Sequence, residues 1–155
     1  MRRLAFLAMS LLLLPAPAWA ASCTTSATGV SFGTYIPSTA SPTDNAGTVS
    51  VTCSAAAQTV NYSIALNQGL NASSGFNRRL KSGTSFLSYQ IYTTAGRTTV
   101  WGNGTGGTST VSDSYTCVLC TNVRRNYTTY GRLPALQWRA PGPYSDTITV
   151  TVTFN

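Results

Sequence analysis

The 155-residue chain has no histidine and no glutamate. Asp44, Asp113 and Asp146 are its only acids, and Lys81 is its only lysine. General acid–base catalysis needs paired titratable groups, and three aspartates far apart in sequence supply no such pair. A Ser–Lys dyad through Lys81 has its residue types, yet no nucleophile motif surrounds any serine. The chain therefore reads as a non-enzyme without a cofactor. No segment after residue 20 repeats its apolar residues every 3.6 positions, which argues against helical bundles and α/β folds. The one long apolar run, Leu4 to Leu14, falls short of the roughly 20 residues that cross a bilayer.

That run has another reading. Arg2 and Arg3 precede it and Ala18-Trp19-Ala20 follows it, the layout of a secretory signal peptide with a small-residue cleavage site. The arginine pair also invites a twin-arginine reading, but the longer polar stretch favoured by that route is missing. Residues 1–20 are thus expected to be removed, leaving no membrane span and one domain over 21–155, a length that buries a core without metals. Ten basic residues against three acids give a net charge of +7, and loss of Arg2 and Arg3 leaves +5. The basic residues are scattered rather than run together, so nucleic acid is not an expected partner.

Export implies an oxidising compartment, in which four cysteines default to disulfides. Cys117 and Cys120 form a C-x-x-C, and the simplest pairing joins them and leaves Cys23 with Cys53. Two alternatives remain at this point. A four-cysteine zinc site would normally bring two C-x-x-C knuckles, and only one is present. A redox-active C-x-x-C favours a helix N-terminus in a βαβ setting, whereas the surroundings here read as loop and strand.

Period-two alternation recurs along the chain. Val49, Val51 and Cys53 form one row; Val60, Tyr62, Ile64 and Leu66 form another; Leu87, Tyr89 and Ile91 a third. Val30 and Phe32 precede Gly33, and Tyr127 to Leu133 is a weaker candidate. The last row, Ile148, Val150, Val152 and Phe154, alternates with threonines in a strand expected from about Tyr144. Clusters of Gly, Ser, Asn and Pro separate the rows, and Asn103-Gly104 carries a type I′ turn signal. Together they predict an all-β antiparallel sandwich.

Several stretches in order resemble the spore coat protein U domain family, the fold of archaic chaperone–usher pilus subunits. They are "ATGVSFGTYIP" (27–37), "GTVSVTC" (47–53), "NYSIALNQG" (61–69), "LSYQIYTTAGRTTVWGNG" (87–104), "YGRLPALQ" (130–137) and "GPYSDTITVTVTFN" (142–155). The resemblance implies an incomplete immunoglobulin-like sandwich lacking its last strand, with a hydrophobic groove open beside the C-terminal strand. It implies a periplasmic chaperone and usher as partners, and another pilus subunit whose donor strand fills the groove. Ile148, Val150, Val152 and Phe154 would form a groove wall. The family pattern also pairs Cys23 with Cys53. The expected location is the periplasm and then the cell surface.

A polymerising subunit carries an alternating donor segment of about ten residues before its first cysteine. Cleavage after Ala20 would leave only Ala21 and Ser22 there, too short to span a groove at about 3.3 Å per residue. The expectation is a subunit that accepts a strand and gives none, at a fibre tip. For such a position the candidate surface contact is Val118 and Leu119, inside the C-x-x-C, with Arg124 and Arg125 nearby. The plainer reading tucks both apolar residues into the sandwich end and leaves the arginines solvated. Trp101, Tyr130 and Trp138 are expected in the core rather than on a carbohydrate platform. A coat or matrix protein that forms no fibre is the competing function, and a disulfide oxidoreductase using Cys117 and Cys120 is a distant third.

Overall fold

The computed structural model describes residues 21–155, so the expected signal peptide lies outside the described residues. Seven strands follow one another: β1 (Ser22–Thr28), β2 (Thr43–Leu66), β3 (Arg79–Ser82), β4 (Ser85–Ser88), β5 (Gln90–Tyr92), β6 (Val111–Leu133) and β7 (Val150–Phe154). No helix occurs among the described residues, and every paired strand is antiparallel. The result is the all-β antiparallel sandwich that the alternation predicts, of the immunoglobulin-like kind that the family resemblance implies.

The two rows read as separate strands, 49–53 and 60–66, are one 24-residue strand. Val49, Val51, Cys53 and Ala55 are buried at odd positions, then Val60, Tyr62, Ile64 and Leu66 at even ones. A strand shows alternate residues to opposite faces, so this change of phase turns the other face of β2 to the core. The change occurs at a register shift between Cys53 and Ala55 and at Ala57, whose φ is 51°. Bulges and bends of this kind carry a strand from one layer of a sandwich to the other.

β6 pairs with β2 along nearly all of this length, from Thr43↔Leu133 to Ile64↔Val111. It therefore occupies one whole edge of β2. β1 and β7 share the other edge at opposite ends: β1 pairs with residues 48–54 and β7 with 62–66. The hairpin β3–β4 forms a separate two-stranded sheet.

Trp101 is fully buried, and its indole N–H donates to Ile64 O at 3.0 Å. Arg78 is buried beside it and donates to the carbonyls of Asn67 and Trp101 and to Gln90 Oε1. Burial pushes its guanidinium pKa down, while Tyr89 and Asp146 oppose that shift. Trp138 departs from expectation and is 68% exposed. Its neighbours Gln137 and Arg139 bond to β4 at Ser88 and Phe86, holding this segment on the surface. At the predicted turn, Gly104 has φ 85° but Asn103 is not left-handed. Asn103 instead accepts the Thr105 N–H on its side chain, an Asx turn rather than a type I′ turn.

Candidate functional site

The last strand is fastened along one edge only. Asn155 N–H donates to Asn61 O and Asn67 N–H to Thr149 O, both at 3.0 Å. In an antiparallel ladder, alternate residues bond to the same side. The backbone groups of Val150, Val152 and Phe154 therefore point to the opposite side, where no strand among the described residues pairs with them. Upstream, Leu70 N–H donates to Thr147 O at 3.1 Å, and Ser145 and Lys81 exchange two backbone bonds of 3.1 and 2.8 Å. Formal strand begins at Val150, six residues later than the sequence suggests, because residues 144–149 are held by successive partners instead of one continuous strand.

A cavity of about 650 Å³ opens beside this segment. Val30, Phe32 and Tyr35 from one segment and Arg139, Tyr144 and Asp146 from another line it, together with Leu80, Leu87 and Leu133. The first wall is pinned by its aromatics. Phe32 meets Tyr89 edge-on at 6.0 Å between centroids. Tyr35 Oη donates to Pro134 O at 3.1 Å and accepts from Gln137 N–H at 2.8 Å. On the second wall, Asp146 accepts Tyr89 Oη–H at 2.7 Å and two N–H groups of Asn71. Burial first, and then this bond to Asp146, hold the Tyr89 phenol far above its usual range. The carboxylate is thus engaged in structure, leaving a partly apolar cavity that runs along the segment leading into the open edge, a setting suited to an extended peptide.

Ile148, Val150 and Val152 are half-buried and packed on the core, while Phe154 is 46% exposed and stacks edge-on against Tyr62 at 5.7 Å. These four offer their backbone edge, and the cavity itself continues upstream of them. Its first wall, Val30 to Tyr35, escaped sequence reasoning. The alternation of Val30 with Phe32 was its only local signal.

Both cysteine pairs are disulfides: Cys23–Cys53 and Cys117–Cys120. Cys117 is fully buried, yet Val118 and Leu119 between the sulfurs are 84% and 81% exposed. The plainer expectation, that they tuck into the sandwich, does not hold; the short cross-link forces the intervening residues outward. The arginines have partners on the strand body. Arg124 donates to Ser50 Oγ at 2.9 Å and to Asn126 Oδ1 at 3.1 Å. Arg125 lies 3.6 Å from Asp113 and over the Tyr115 ring. Among the described residues, no three His, Cys, Asp or Glu gather as a metal site. No helix there is long and apolar enough to cross a membrane.

The Spore Coat Protein U domain model matches residues 9–151. The chain belongs to the Spore Coat Protein U domain family. A solved structure resembles this family member: the chaperone–tip adhesion subunit pre-assembly complex CsuC–CsuE, from archaic chaperone–usher Csu pili of Acinetobacter baumannii. Identity is 25% and the TM-score 0.57, over 86% of this chain and 39% of that one. The chain thus spans well under half of the solved chain's length. No curated protein matches.

Proposed function

We propose that this chain is an exported, non-enzymatic subunit of a chaperone–usher surface fibre, and that it accepts a donor strand beside β7. The observation that carries this is the unpaired backbone edge of Val150–Phe154, on the same segment whose upstream residues Tyr144–Asp146 line a partly apolar cavity. A free strand edge over apolar surface is an aggregation hazard unless covered. A periplasmic chaperone would cover it first and the donor segment of another subunit later, with the usher exchanging the two. Family membership and the likeness to a chaperone-bound pilus subunit support this reading. Burial of four or five donor side chains would yield about 6–15 kcal/mol gross, at about 1.5–3 kcal/mol each.

The test is a ten-residue peptide alternating apolar residues with threonine, added to the purified chain. Binding should raise Tm by about 5 °C or more at saturation and protect the amides of Val150, Val152 and Phe154 from hydrogen exchange. A soluble chain that binds no such peptide would favour a coat or matrix protein outside any fibre.

The proposed place is the fibre tip. The solved structure that this chain resembles is a complex of a chaperone with a tip adhesion subunit, and Ser22, directly ahead of Cys23, is already paired with Ser54 instead of free to leave. Self-polymerisation of the isolated chain would remove this placement. The proposed contact at the tip is Val118 and Leu119, with Arg124 and Arg125 lending charge from the strand body. Replacing Val118 and Leu119 by serine should lower adhesion severalfold with Tm unchanged; adhesion equal to the parent's counts against the contact.

A further inference from the structure

The hairpin β3–β4 has two unlike faces. Leu80 and Leu87 are cross-strand partners facing the core. On the outer face Lys81 is directly opposite Phe86, with Arg79 two residues along. The Arg79 guanidinium lies 4.2 Å from the Phe86 ring centroid, and the Lys81 ammonium 5.9 Å. Arg139 arrives from the neighbouring segment, and its Nε–H donates to Phe86 O at 2.9 Å. Two cations thus sit by one aromatic ring, and a third is bonded to the backbone of the same phenylalanine.

None of the three has a carboxylate partner among the described residues. Asp44 pairs with Arg97 and Arg132, and Asp113 with Arg125. Asp146 accepts from Tyr89 and Asn71. Like charges held together repel, and an arriving anion removes that cost. The arginines are also pre-oriented, because Arg79 Nε–H is fixed on Asn71 O at 2.9 Å and Arg139 Nε–H on Phe86 O. Fixed guanidinium forks suit carboxylate oxygens.

Arg139 reaches the groove, while the Arg79 and Lys81 side chains lie on the outer face of the hairpin whose core face lines it. Leu80 and Arg139 line the cavity, and Lys81 holds Ser145 of its wall through the backbone. A free strand edge, whose side chains repeat every two residues, accepts a partner strand in registers two residues apart. A cationic patch at one end breaks that degeneracy. We propose that Arg79, Lys81 and Arg139 anchor a carboxylate-bearing end of the polypeptide strand that enters the groove, fixing its direction and register. This rests on the donor-strand reading and adds the chemistry of the partner.

Four peptides sharing one alternating apolar core separate the possibilities: neutral, two aspartates at the N-terminal end, two at the C-terminal end, and two lysines at either end. One of the two acidic peptides should bind roughly tenfold tighter than the neutral one at low salt. That gain should vanish at about 0.5 M salt and in the variant Arg79→Gln, Lys81→Gln, Arg139→Gln. Lys81→Glu, at an exposed side chain, should reduce the gain without lowering Tm. Equal affinity for acidic, neutral and basic peptides would overturn the anchor and leave the donor-strand reading standing. An acid preference that persists in the triple variant also overturns it. Failure of all four peptides removes both.

Discussion

Asp44 shows how one residue couples distant parts of the chain. Arg132 approaches it with a two-pronged fork at 2.8 and 2.7 Å, and Arg97 lies 3.4 Å away. The hydrogen bonds from Arg132, more than the charges, hold its carboxyl below the usual 3.8 against a partial opposing effect of burial. A folded-state value below the unfolded one means the ionised form favours folding. That contribution is complete above the unfolded value and disappears as pH falls through the folded one. Tm should therefore decline below about pH 4, and Asp44→Asn should lower Tm at neutral pH only; thermal melts from about pH 6 to 2 should converge. Single residues also marked the limits of sequence reasoning. Trp101 and Trp138 are the same residue type on similar loop-flanked segments, yet one is buried on Ile64 O and the other is exposed. Only long-range placement separates them.

The elements were legible wherever apolar and polar residues alternate, as in the rows of β2 and in β7. They were not where the alternation falls silent. Ala55-Ala56-Ala57 has no apolar–polar contrast, so the turn of β2 from one face to the other left no trace, and one strand read as two. The groove was half legible for the same kind of reason. The row ending in Phe154 announces an edge, but the cavity lining at Val30–Tyr35 belongs to residues more than a hundred positions away. The two disulfides differ in what they close. Cys23–Cys53 spans 30 positions and Cys117–Cys120 spans 3. On the chain-entropy model these constraints are worth about 3.7 and about 1.9 kcal/mol. Replacing Cys23 and Cys53 by serine should therefore cost roughly twice as much stability in urea titrations as replacing Cys117 and Cys120. Equal losses would mean the short loop matters through its packing around buried Cys117.

For the whole molecule, the open edge of β7 dominates solution behaviour. A net charge of +7 in the full sequence gives some repulsion between copies, but an unpaired strand edge invites pairing. The isolated chain should scatter more light as concentration rises, and a saturating groove peptide should suppress that growth; scattering indifferent to the peptide would locate the association elsewhere. One further consequence is mechanical. β1 and β7 hang from the same edge of β2, so tension entering at the first strand and leaving near the last must travel along β2. The Cys23–Cys53 bond sits one residue inside the start of β1. It acts as a rivet at the spot where peeling would begin. A pull there cannot unzip the β1 ladder one bond at a time; it loads β2 in shear against the full length of β6. The seam at the start of β1 is thereby cross-linked where it would open most easily.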